Sequence, residues 1–233
     1  MSETQLPSGA LLRATIAQVA PQIAKATNLG QSDDTQDLYY LLDYLSFAVD
    51  QAYPQIPCSK GCSHCCKKNV FRVSRVEWER VQVGLNGLAP EARAAALDRA
   101  REIYAPHRER LEAIAEYWTR HDNPPNELLE EAMLPCPMLD GGRCGIYADR
   151  PAICRAYGYT SAVVKGESRL LICREEGPSW IRHLEDTQVE AFPMPSWNPV
   201  QRKIEALNGA GPIKPLPLWL LELAESEANV QAP

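Results

Sequence analysis

The sequence contains eight cysteines, and four of them fall in a single short run, Cys58-x-x-x-Cys62-x-x-Cys65-Cys66. Spacings of two and three residues let thiolates from one turn of backbone converge on one metal centre. Gly61 relieves the backbone where such a loop must curl. Two chemistries fit. Zinc takes four thiolates or a mixture of thiolates and imidazole, which makes His64 a candidate nitrogen ligand. An iron–sulfur cluster takes up to four thiolates. Disulfides fit poorly, because the vicinal pair Cys65–Cys66 is an awkward bridge. Clustered thiols in a reducing compartment are far more often metal ligands or redox groups.

The other four cysteines are spread. Cys136-Pro137-Met138-Leu139 precedes Gly141-Gly142-Arg143-Cys144, and a turn at the glycine pair brings Cys136 back toward Cys144. Asp149-Arg150-Pro151 marks a helix start, since proline is tolerated in a first turn. Cys154 then projects from that turn, near backbone N–H groups that favour negative charge. Four thiolates around a divalent ion, or around an oxidised cubane cluster, leave about two negative charges to offset. The flanking Arg150 and Arg155 suit that work from just outside the ligands. Tyr147 and Tyr157 read as core packing. Cys173 is the cysteine least anchored by spacing, a ligand or simply buried. Charge follows the cysteines. Residues 51–76 carry Lys60, Lys67, Lys68, Arg72 and Arg75 and no acid, so the acidity behind the net charge of −6 lies elsewhere. Thiolate–metal centres explain that contrast; a docking site for an acidic partner or RNA is the competing cause.

The elements that must position these loops read as helices. Leu11 to about Asn28 is Ala-rich, with Pro21 as a kink or break and Gly30 beyond its end. Ser32-Asp33-Asp34 opens a second helix with an apolar stripe of Leu38, Leu41, Leu42, Leu45 and Val49. An extended stretch from Val70 to Val73 leads to Ser74 and Glu77, spaced as a capping box. Pro90 to about Arg120 reads as helix with a join at Pro106, and a short acidic helix runs from Glu127 to Met133. Tyr157–Val164 and Arg169–Cys173 read as a hairpin around Lys165-Gly166. From Phe192 a Pro-rich tail precedes a final Leu-rich helix at Leu218–Glu225. The expected fold is mainly α with a small β-hairpin, helices supporting two cysteine-rich metal-binding loops.

The 233 residues suffice for a real core, and 45% hydrophobic with 23% charged residues is ordinary for a globular chain. That composition excludes a disordered tail protein. No apolar run reaches the roughly 18 residues of a membrane helix, and Met1-Ser2-Glu3-Thr4 lacks a secretory signal, so a cytoplasmic setting is expected. The acidity argues against a protein built mainly to coat nucleic acid or anionic membrane.

With both constellations stated, the chain resembles the YkgJ-like cysteine-cluster family, also called the CxxCxxCC zinc- or iron-chelating proteins. The matching residues are Cys58, Cys62, Cys65 and Cys66, then Cys136-Pro137-x-Leu139, then Cys144-x-Ile146-Tyr147-x-x-Arg150-Pro151-x-x-Cys154-Arg155. Val73 and Glu77 suit that family's run into a helix. The likeness covers roughly 55–175, giving one domain over 1–233 with a chelating core, a helical extension at 1–54 and a Pro-rich and helical one at 176–233. It implies a bacterial cytoplasmic metalloprotein. The first motif is also spaced like the cluster loop of radical S-adenosylmethionine enzymes, but the strand–helix alternation of their barrels is missing. A related cysteine pattern occurs in flagellin lysine methylases; no glycine-rich S-adenosylmethionine loop follows a strand here, so that activity does not transfer.

The expected ligands are all eight cysteines: Cys58, Cys62, Cys65, Cys66, Cys136, Cys144, Cys154 and Cys173. The expected cofactor is a 4Fe–4S cluster, or else zinc, in a redox or structural role with a redox or protein partner. An iron–sulfur enzyme and a zinc-stabilised interaction or RNA-binding module are the alternatives. No acid–base constellation accompanies the cysteines, and His107, His121 and His183 are scattered among charged residues as exposed positions.

Overall fold

The computed structural model describes residues 8–54, 58, 62–121, 125–164, 166–173, 177–187 and 193–231. In chain order the first helices are α1 (Ser8–Lys25), α2 (Leu38–Ala52), α3 (His64–Lys67), α4 (Arg75–Asn86), α5 (Pro90–Tyr104) and α6 (Arg108–Trp118). They are followed by α7 (Asn126–Glu130), α8 (Ala152–Ala156), α9 (Gly177–Thr187), α10 (Trp197–Asn208) and α11 (Leu216–Gln231). Three small antiparallel pairs complete the described residues. They join β1 (Arg72–Ser74) to β6 (Ile213–Pro215), β2 (Leu139–Asp140) to β3 (Arg143–Cys144), and β4 (Ser161–Val164) to β5 (Glu167–Leu170). The fold is therefore mostly helical, as the sequence predicts. Among the described residues no helix is long and apolar enough to cross a membrane.

The chain divides into two compact units, Met1–Cys62 with Cys154–Leu207, and Ser63–Ile153 with Asn208–Pro233. In the first unit α1 packs along α2, burying Leu12, Val19 and Ile23 on one side and Leu38, Leu41, Leu42, Leu45 and Val49 on the other. Pro21 lies inside α1 without ending it.

Helix α2 does not open at Ser32-Asp33-Asp34. It opens at Leu38, because Asp37 is the better cap. One oxygen of its fully buried carboxylate accepts the N–H groups of Gly30 at 2.9 Å, Tyr39 at 2.8 Å and Tyr40 at 3.4 Å. The other accepts those of Gln31 at 2.6 Å and Ser32 at 3.1 Å. One side chain thus satisfies orphan donors of the helix and folds the preceding loop around itself. Those bonds hold the Asp37 carboxyl below its ordinary value even though burial pushes the other way.

The hairpin forms with a shorter first strand than expected. Tyr157–Tyr159 are turn rather than strand, Cys173 lies beyond β5, and Lys165 falls outside the described residues. The tail is also more regular than its prolines suggest, since α10 and β6 lie within it and α11 runs past both expected ends.

The second unit is built on α4, α5, α6 and α11. Val81 and Leu85, Leu97 and Ala100, Leu111 and Ile114, and Leu218, Leu220 and Leu221 form its core. Each fully buried leucine contributes about 1.5–3 kcal/mol. Trp78 stacks on Trp219 with ring centroids 5.4 Å apart, and the Trp219 indole N–H donates to the Val73 carbonyl at 3.0 Å. The capping box forms as predicted: Glu77 accepts the Ser74 N–H at 2.9 Å and the Ser74 hydroxyl at 2.7 Å.

Candidate metal centre

All eight cysteines are described, and all are thiols. The division between units passes through the first motif. Cys58 and Cys62 belong to the first unit with Cys154 and Cys173; Cys65 and Cys66 belong to the second with Cys136 and Cys144. The run that reads as one motif in sequence thus contributes residues to both units.

In the second unit, α3 carries Cys65 and Cys66 in its single turn, with His64 as its first residue. The Cys136 N–H donates to the Cys66 carbonyl at 2.7 Å, fixing the second motif against the first. From there the chain turns through Gly141 and Gly142, both at positive φ, so that Leu139 pairs with Cys144. The Tyr104 hydroxyl donates to the Pro135 carbonyl at 2.9 Å, and the Arg99 guanidinium donates to the Pro137 carbonyl at 2.8 and 3.1 Å. The residues on both sides of Cys136 are thereby pinned.

The electrostatics follow from this packing. A hydrogen bond from the Cys65 thiol and the nearby Arg150 charge hold Cys66 down to about 7, against the effect of burial. Burial pushes Cys136 up to about 12, and the charges of Cys66 and Cys144 push the same way. The same two thiolates, Cys136 and Cys66, reinforce burial in raising the buried Tyr104 hydroxyl well above its ordinary range. Charge on Cys66 and Cys144 thus opposes ionisation of the buried Cys136, an opposition that a nearby cation would relieve.

In the first unit Cys58 lies against Gly158, at φ +93°. A Cβ there would lie 2.6 Å from Cys58 Sγ, so the thiol rests in space that only glycine leaves open. Cys154 lies four residues earlier, on α8, and Gly158 stands in the turn that follows that helix. The Gly158 N–H donates to the Leu171 carbonyl at 2.6 Å, two residues before the buried Cys173. Cys58 and Ile172 pack on the same small core of Leu12, Val49, Tyr53, Tyr159 and Trp180.

The donor set is sulfur throughout, which suits zinc or iron–sulfur chemistry rather than the oxygen ligands of calcium or magnesium. Among the described residues no three His, Cys, Asp or Glu side chains form a group that could hold a metal ion.

The two arginines differ. Arg150 acts on Cys66 and lies 3.6 Å over the Tyr147 ring. Arg155 is buried, pairs with Asp43, and stacks 4.0 Å over Tyr39, while its carbonyl accepts the Ser46 hydroxyl at 3.0 Å. Tyr147 is not in the core. It is 56% exposed and serves as a face for Arg150. Tyr157 is half-buried and donates to the Ile172 carbonyl at 3.2 Å. Among the scattered histidines, His121 is exposed against Tyr117, His107 is half-buried in the turn between α5 and α6, and the His183 side chain is outside the described residues.

Sequence reasoning missed Tyr104, Arg99 and Gly158. Only Gly158, set between two tyrosines, carried a signal, since a glycine flanked by bulky residues marks an unusual φ or a close approach. It also missed the second use of Glu77, whose other oxygen accepts the Ala152 N–H at 3.1 Å and so caps α8, the helix that bears Cys154.

No curated protein and no solved structure matches the chain. A family model does, over residues 57–176, under the description "Putative zinc- or iron-chelating domain". Those residues span every cysteine and just over half of the chain. The chain belongs to the CxxCxxCC family of zinc- or iron-chelating domains.

Proposed function

We propose that this protein is a cytoplasmic metalloprotein whose cysteines hold a 4Fe–4S cluster in an electron-transfer role. The observation that carries the reading is the hydrogen-bonded assembly of Cys65, Cys66, Cys136 and Cys144, with Arg150 acting on Cys66. Those four side chains would hold the cluster, which supplies one-electron chemistry when bound. Arg150 then offsets thiolate charge and draws the potential upward, while the Pro135 and Pro137 carbonyls, held by Tyr104 and Arg99, keep Cys136 in place. Eight thiols without disulfides suit a reducing cytoplasm.

Zinc in a structural role is the second reading, favoured by the count of four cysteines in each unit, the number a closed tetrahedral site takes. Anaerobic purification decides between them. A brown protein with broad absorption near about 400 nm and equal iron and sulfide supports the cluster. A colourless protein with stoichiometric zinc refutes it in favour of the second reading, and Cys66→Ser protein that keeps full metal content refutes both.

A further inference from the structure

We propose that the surface carrying Lys67, Lys68 and Arg143 is a docking site for a protein that presents a cluster of carboxylates. The proposal rests on the electron-transfer reading above for its purpose and adds the chemistry of the partner.

The observation that carries it is where uncompensated positive charge lies. Lys67 and Lys68 directly follow Cys66, and Arg143 directly precedes Cys144. All three are exposed, and none stands in an ion pair among the described residues. Other cations of the same unit are commonly neutralised: Arg80 pairs with Asp149, Arg93 with Glu227, and Lys214 with Glu222. Backbone bonds bring the three unpaired cations to one anchor. The Cys136 N–H donates to the Cys66 carbonyl at 2.7 Å, beside Lys67. The β2–β3 ribbon follows, closed by the Gly145 N–H on the Met138 carbonyl at 2.9 Å, and Arg143 stands at its turn. The ribbon sets one exposed acid against these cations, Asp140, which faces Arg143 in register without an ion pair. Positive charge is therefore in excess.

Unpaired surface charge steers encounter with a partner of opposite sign and fixes its register. Tyr147, exposed three residues after Cys144, adds aromatic surface of the kind enriched at protein interfaces. A small, weakly held and salt-sensitive contact is what electron-transfer pairs use. An extended RNA needs a longer track of free cations, because every phosphate along it carries charge. The track does not continue here: the exposed Arg75 and Arg120 are held by Glu79 and Glu116.

Fluorescence polarisation of the full, metal-loaded chain tests the surface, with labelled oligoglutamate as the carboxylate probe and labelled oligouridylate as the nucleic-acid probe. At about 20 mM salt the oligoglutamate should bind, and the signal should be lost by about 300 mM. Lys68→Glu and Arg143→Glu should each weaken binding by about threefold or more, and the pair together by about tenfold. Arg120→Glu makes the same change in net charge away from the ribbon and should leave binding as it is. Carbodiimide cross-linking of oligoglutamate to wild type needs no variant, and peptide mapping should place the links on Lys67 and Lys68 rather than Lys25, Lys203 or Lys214. No binding at low salt, equal weakening by Arg120→Glu, links on the other lysines, or tighter binding of oligouridylate would each overturn the proposal. Binding does not depend on which metal is held. A colourless zinc protein that still takes up oligoglutamate loses the redox role and keeps the surface, and a brown one that ignores it does the reverse.

Discussion

Asp37→Asn is the most direct test of how the first unit is held. The asparagine is isosteric but offers one acceptor where the carboxylate offers two. If its oxygen faces Gly30, Tyr39 and Tyr40, the amide nitrogen meets the N–H groups of Gln31 and Ser32 donor to donor. The flipped amide strands three donors instead, so at least two part-buried N–H groups lose their partner. Each costs about 1–3 kcal/mol. Removing a buried charge returns part of that, leaving a net loss of about 2–4 kcal/mol. For a chain of this size that lowers the melting temperature by roughly 4–16 °C. The pH dependence has a definite sign. The folded carboxyl sits below its ordinary value of 3.8, so its contribution is complete above that value and fades as pH falls through the lower, folded one. Urea denaturation of both proteins from pH 7 down to about 3 reads this directly, and the stability gap should narrow toward acid. A variant within about 0.5 kcal/mol of wild type at pH 7, or a gap constant with pH, would refute the reasoning.

In protein stripped of metal, alkylation of Cys66 should rise through a midpoint near pH 7, whereas Cys136, at about 12, should stay unreactive to about pH 10; mass spectrometry of labelled peptides distinguishes them. Trp219→Ala removes a buried ring stacked on Trp78 and a bond to Val73, and should cost about 3–5 kcal/mol with a matching change in tryptophan fluorescence. Glu77→Ala deprives the Ser74 and Ala152 N–H groups of their shared acceptor and should lower the unfolding free energy by about 2–5 kcal/mol, read as a lower denaturation midpoint. An unchanged midpoint would mean that water replaces the carboxylate.

Local chemistry was legible wherever one short segment determines the outcome. Ser74 and Glu77 announce their capping box, Pro106 the join of α5 and α6, and Gly141-Gly142 the β2–β3 turn. The start of α2 was misplaced because Ser32, Asp33 and Asp34 are all acceptable caps, and only the return of the loop onto Asp37 selects among candidates. Helices α9 and α10 were hidden by prolines and by modest apolar content, since their formation depends on packing rather than propensity. The family was legible from cysteine spacing alone. The grouping of thiols was not, because neighbours in sequence such as Cys62 and Cys65 belong to different units, and spacing carries no record of that.

The stacking of α11 against α5 and α6 bears on how this family travels between proteins. The family match ends at residue 176, and a fragment cut at 57 and 176 would retain every cysteine. It would also discard Leu218, Trp219, Leu220 and Leu221, four large side chains buried in the second unit. At about 1.5–3 kcal/mol each, their loss removes about 6–12 kcal/mol, against a total stability of about 5–15 for a typical domain. In this chain the matched segment is thus smaller than the body that must fold around it, and the last helix serves as its buttress.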